Sequence, residues 1–285
     1  MPEPDQTPAS PQRSRLLRHT PGTVEPLAAN GAHAFAARHA LVHYRSGAVF
    51  SFIPKNACTS LRVSLAIANG AIADAGDWTW VHKNNATFSA GPADLARAPV
   101  TAVILRCPFR RLASTFLDKI VSRSSEFWTL YRLSRDQIDP DRLSFREFVD
   151  RIASHGFLRA NIHWHPQFEF LVYDRYDRVF GMHQLPAFAA FFEETTGQPL
   201  IDSRGFAGNA TSAYAPAEGG THADTPLIDL ACAKAEGRLP HPGDLFDPPL
   251  VARVREIYAE DLQLYSDLVG SEGLLFAPGN ERSQP

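Results

Sequence analysis

Two continuous runs of apolar, β-branched and aromatic residues, each broken by a basic loop and followed by a helical pattern, constrain the fold of this chain most. The first, Ala48 to Ile53 (AVFSFI), ends at Pro54, and Leu61, Leu65 and Ala68 then repeat at helical spacing until Asn69-Gly70. The second, Val100 to Leu105 (VTAVIL), stops at Arg106-Cys107-Pro108, and Leu112, Phe116 and Ile120 follow at i, i+4 and i+8. A strand without polar alternation is buried on both faces, the condition of a parallel sheet covered by helices. Strand, loop and helix, repeated, predict an α/β fold with a central, mainly parallel sheet flanked by helices.

The same reading extends along the chain. Arg178 to Met182 (RVFGM) reads as a third strand, followed by a helix from Pro186 to Thr196 that Gly197 stops. Ser144-x-x-Glu147 is a capping box opening a helix with Phe148 and Ile152 on its apolar face, and Asp247 caps a final helix through Leu268. Residues 203–246 are rich in Gly, Ala and Pro and read as a long loop excursion with one short helix near Leu227 to Ala235. Residues 1–25 are polar and Pro-rich and are expected to be disordered; 26–275 form one domain, and 276–285 a flexible tail.

Charge excludes several function classes. A net charge of −3 gives no global basic field, so neither a nucleic acid nor an anionic membrane is an expected partner. Between Arg106 and Arg135, however, Arg110, Arg111, Lys119, Arg123 and Arg132 face only Asp118 and Glu126, which suits a small polyanion. Three cysteines without a CxxC pair fit a reducing compartment rather than a disulfide framework or a zinc site. The N-terminus has no apolar signal-peptide region and no window spans a membrane, so a cytoplasmic location is expected, and integration into a membrane is not.

Both loops carry anion chemistry. Between strand and helix the first has Lys55, Asn56, Ala57, Cys58, Thr59 and Ser60: a point charge, free backbone N–H groups at a helix start, and two hydroxyls. The Walker glycines are absent. The second places Arg106 at the carboxyl end of a central strand, where ligands bind in open α/β sheets, with Ser114 two turns into the next helix. Singly, each also fits an ordinary βα turn, with an exposed lysine in one and an arginine capping strand carbonyls in the other. Together they point to one doubly phosphorylated ligand.

Both segments resemble those of the cytosolic and Golgi sulfotransferases, most of all the carbohydrate sulfotransferases of the chondroitin/dermatan/HNK-1 group. Pro54, Lys55, Asn56, Ala57, Cys58, Thr59 and Ser60 match the family's 5′-phosphosulfate loop, and Arg106, Cys107, Pro108, Arg111, Leu112 and Ser114 its 3′-phosphate segment. The likeness continues in Phe145 to Phe148, in His163-Trp164-His165-Pro166-Gln167, in Tyr176-Asp177, in Asn209-Ala210-Thr211 and in Tyr258 to Asp261. It implies a P-loop-like sulfotransferase fold and transfer of a sulfuryl group from 3′-phosphoadenosine-5′-phosphosulfate (PAPS) to a hydroxyl, the acceptor being a carbohydrate. The bisphosphate PAP would be the product, with no metal. Asn209 and Thr211 would close over the nucleotide. Cys107 stands where the family carries an acidic residue.

Such a transfer needs a cation on the leaving phosphate, for which Lys55 is the candidate, and a base for the acceptor proton. His82, in WVHKNNATF between the two segments, is the first choice, because related heparan-type 2-O-sulfotransferases keep their catalytic histidine in that interval. His163 is its rival, and Lys83, His163 and Trp164 are candidate substrate contacts. Two other readings remain: a P-loop-like kinase or other phosphotransferase, and a non-catalytic nucleotide-binding protein.

Overall fold

The computed structural model describes residues 15–277 apart from 136, 155 and 207–213. In chain order its elements are α1 (Gly31–Arg38), β1 (Ala40–Val42), β2 (Val49–Ser51), α2 (Cys58–Ala68), α3 (Pro92–Arg97), β3 (Thr101–Leu105), α4 (Pro108–Thr115), α5 (Ser125–Leu133), α6 (Phe145–Ala153), β4 (Arg178–Gly181), α7 (Leu185–Thr196), β5 (Ala215–Pro216), α8 (Leu227–Ala235), β6 (Arg238–Leu239), α9 (Pro248–Ile257) and α10 (Ala259–Leu268).

Four strands form the central sheet in the order β1-β2-β3-β4. β2 and β3 pair in parallel with Phe50 opposite Ala102, and β3 and β4 in parallel with Ile104 opposite Phe180. β1 is antiparallel to β2, with Ala40 opposite Ser51. Every residue of β2 and β3 is buried, as their unbroken apolar runs require. Alternate side chains serve opposite faces. Phe50, Ala102 and Ile104 pack with Leu61 and Leu65 of α2 and with Phe188 and Phe192 of α7. Val103 and Leu105 pack on the other face with Phe170, Leu171 and Tyr265 of α10. Helices α4 to α6, α8 and α9 close a separate apolar cluster around Phe116, Phe145 and Phe148. Because β2 and β3 run in parallel side by side, the two loops that follow them open at the same edge of the sheet.

Several expectations are corrected. β1 is too short for a period to reveal. The single helix expected from Asp247 to Leu268 is two, divided at Tyr258, whose ψ is 32°; Tyr258 hydroxyl donates to the Trp164 carbonyl there. Ser144 caps α6 by accepting the Glu147 N–H at 3.2 Å, but the Glu147 carboxylate turns to Arg151 instead of closing the box. In the excursion at 203–246 the one short helix stands where expected, α8 at Leu227–Ala235, but β5 also pairs with β6, and Leu227, Leu230 and Leu245 bury into the helical cluster. Within the segment expected to be disordered, Arg15 ion-pairs with Asp177 at 2.8 Å and Arg18 N–H bonds Val172 O at 3.0 Å. At the other end Phe276, the first residue of the expected tail, packs on the rings of Phe109 and Phe246. Among the described residues no helix is long and apolar enough to cross a membrane.

Candidate active site

The loop after β2 turns without glycine. Lys55 (φ 72°) and Ala57 (φ 55°) both take left-handed backbone conformations, which cost a non-glycine residue about 1–2 kcal/mol each. Side chains from elsewhere hold this shape. Asn56 Nδ2 donates to Ile104 O at 2.9 Å and to Gln167 Oε1 at 2.7 Å, Arg106 Nη1 donates to Lys55 O at 2.7 Å, and Arg111 Nε donates to Pro54 O at 3.0 Å. Ala57 supplies no side-chain cap to α2, so the first N–H groups of that helix are left for a ligand.

Two buried residues lock this loop to the one after β3. Gln167 accepts the Arg106 N–H at 3.1 Å and donates to Arg106 O at 2.8 Å, while Asp261 accepts the N–H groups of Gln167 and Phe168 at 2.8 and 2.9 Å. Arg111 also reaches the carbonyls of His165 and Ile162. The motif residues Arg111, Gln167 and Asp261 are thus braces that set the loops, not ligands. Gln167→Leu, which strands several buried polar atoms, is expected to lose about 2–3 kcal/mol in urea unfolding.

Both loops face one cavity of about 730 Å³. Lys55, Ala57, Cys58, Thr59, Arg106 and Ser114 line it, and so do His82 and His163. Around it stand Arg38, Lys55, Arg62, Arg106, Lys119 and Arg204 against a single carboxylate among the described residues, Asp118. The volume is that of a ligand-sized cleft, and the charge selects a polyanion. Burial, chiefly, pulls Arg106 down to about 10, still charged at neutral pH.

Lys55 is not free. Its Nζ lies 2.6 Å from Asp118 Oδ2, with both side chains about nine-tenths buried, and Lys119 approaches the same oxygen at 3.4 Å. Asp118 reaches the cavity from a π turn at Phe116–Ile120 that follows α4. Burial alone would raise its pKa, but Lys55 and Lys119 hold it below the usual carboxylate range; burial lowers Lys55 despite Asp118. Cys107 turns away from the cavity and accepts the Leu275 N–H at 3.3 Å, so the unusual residue of the second loop ties down the C-terminal segment and leaves Arg106 in place.

The sequence matches the sulfotransferase family model over residues 38–187, more than half of the chain. The chain belongs to the sulfotransferase family. No curated protein and no solved structure matches it. The matched stretch of this sulfotransferase contains both loops, the π turn, the braces Arg111 and Gln167, and both candidate histidines.

Not every candidate residue faces the cavity. Asn56 is buried behind its loop, and Ser60 pairs with Ser203 at 2.9 Å. Trp164, expected as a substrate contact, is fully buried, donates to Phe157 O and packs on Phe148; it is core. Lys83 is exposed and outside the cavity lining. Asn209 and Thr211 lie outside the described residues. Asp118 and Glu126, the acids within the basic segment, were not foreseen as site residues; Glu126 approaches His163.

Proposed function

We propose that this sulfotransferase takes PAPS as donor and transfers its sulfuryl group to a hydroxyl, on a carbohydrate, by in-line displacement, in the cytoplasm. The observation that carries the reading is that Lys55 and Arg106 line one cavity and are bonded through the Lys55 carbonyl. A molecule with phosphate groups at both the 3′ and 5′ positions answers both cationic corners at once. The site works like a P-loop without its glycines. Backbone N–H groups from Ala57 to Thr59 and the Thr59 hydroxyl hold the 5′ group, and Arg106 with Ser114 the 3′-phosphate. Lys55 stabilises the charge that gathers on the leaving phosphate oxygen. A histidine on the wall, His82 or His163, accepts the acceptor proton. The carbohydrate acceptor rests on the resemblance of the two loops to the carbohydrate enzymes.

Calorimetric titration with PAP, ATP and ADP tests the donor. PAP is expected to bind tightly without magnesium, and Arg106→Ala to weaken it roughly 100-fold by removing a bidentate phosphate contact. A preference for ATP with magnesium supports a phosphotransferase and overturns the reading. Labelled PAPS offered with a panel of oligosaccharides, lipids and small alcohols then identifies the acceptor; PAP binding without turnover on any of them marks a nucleotide binder.

A further inference from the structure

His163 and Glu126 form a pairing that neither phosphate loop requires. The His163 ring lies on the cavity wall, with Nδ1 2.9 Å from Asn161 Oδ1 and 3.3 Å from Glu126 Oε1. The same Asn161 oxygen accepts the backbone N–H of His163 at 3.0 Å, and since that N–H only donates, the amide orientation is fixed. Both partners of Nδ1 are therefore acceptors, so Nδ1 carries the proton. Nε2 keeps its lone pair, and among the described residues it has no hydrogen-bond partner. Glu126 is delivered by the sharp turn before α5, where Arg123 takes φ 48° and Ser124 N–H bonds Lys119 O at 3.0 Å. His82 has no such support. It stands at the exposed rim, its ring edge-on to Trp78 at 5.5 Å, and no described hydrogen bond sets its tautomer.

Building on the reading of this cavity as a PAPS-dependent site, we propose that His163 is the catalytic base and that Glu126, with Asn161, is the positioning residue that presents its Nε2. As the acceptor oxygen forms its bond to sulfur, its proton passes to Nε2. The bond from sulfur to the 5′-phosphate oxygen breaks, and its electron pair leaves on that oxygen beside Lys55. The new imidazolium then has the Glu126 carboxylate against Nδ1–H, as in other carboxylate–histidine pairs.

The groups facing His163 make its base strength depend on the donor. Lys119 and Asp118 come from the π turn, Lys55 from the first loop, Arg111 from α4 and Glu126 from α5. In the free protein burial first, then Lys119, Lys55 and Arg111, hold the imidazole down to about 3, with Asp118 opposing. A polyanion seated on Lys55 and Arg106 cancels part of that positive field, favours the protonated ring, and so raises its proton affinity. His163 becomes an effective base only once the donor is in place.

The test follows the His163 ring by NMR with and without PAP, and PAPS turnover in variants, with water as acceptor until a better one is known. PAP is expected to move the His163 titration to higher pH. His163→Ala should cut turnover about 100- to 1,000-fold. Glu126→Gln should cut it roughly tenfold and shift the acid limb of kcat to lower pH, because the imidazolium loses its counter-charge, with Glu126→Asp recovering part of both. A merely structural Glu126 would change stability without moving that limb. The inference is overturned if His82→Ala loses more turnover than His163→Ala, or if Glu126→Gln leaves rate and limb at wild-type values. A wild-type protein that binds no PAP sinks the sulfotransferase donor reading itself, which distinguishes the two failures.

Discussion

Lys55→Ala is expected to lower the turnover of PAPS by about 100- to 1,000-fold, the usual effect of removing one preorganised donor from a developing charge. Affinity for PAP, shared with Arg106, Ser114 and the start of α2, should fall far less. The reason lies in where the amine sits: in a loop whose left-handed turns are held by Asn56 and Arg111, on a cavity wall where its side chain is about nine-tenths buried. A cation there needs no reorganisation when the phosphate leaves. The variant also strands Asp118 beside Lys119, so instability must be separated from chemistry. Lys55→Ala/Asp118→Ala removes both charges; it should regain stability in a melt and still fail to turn over. Recovery of turnover in the double variant would show that Lys55 served only to neutralise Asp118.

Much of this arrangement was legible in the sequence, and what was not shares one cause. The buried strands could be read because an unbroken apolar run has few other meanings, and the loops after them because lysine, arginine and hydroxyls cluster at helix starts. Periodicity also supplied Leu112, Phe116 and Ile120, all buried, although the helix there loosens into a π turn. Polar side chains that bond to distant backbone carry no period. Gln167 meets Arg106, and Asp261 meets Gln167, across long stretches of chain, and nothing local announces either contact. The acids illustrate the same limit. Ser114 and Asp118 are i and i+4, so their common face was readable; the partner of Asp118, 63 residues earlier, was not. In a basic segment two carboxylates look like incidental dilution, yet Asp118 pairs with Lys55 and Glu126 approaches His163. Trp164 went wrong in the opposite direction: its neighbours His163 and Gln167 line or brace the cavity, but its indole fills the core.

Asp118→Asn is expected to destabilise the free protein by about 3 kcal/mol, and PAP to stabilise this variant more than it does the wild type. Removing one partner of a buried ion pair leaves the other charge uncompensated, a loss of several kcal/mol. Here the survivor, Lys55, also feels Arg106 and Lys119. Its pKa is already lowered by burial, so partial deprotonation limits the cost to the lower end of that range. In the wild type an incoming phosphate must compete with a carboxylate 2.6 Å from the Lys55 amine. In the Asp118→Asn variant it meets an unpaired cation instead, so PAP affinity should rise roughly tenfold, and by mass action the melting temperature should climb further at equal PAP. Melts of both proteins with and without PAP measure both halves of the prediction. If the variant melts with the wild type and gains no more from PAP, the carboxylate is no stand-in for phosphate. A stable variant with weakened PAP binding would mean instead that Asp118 holds Lys55 in the position the nucleotide needs.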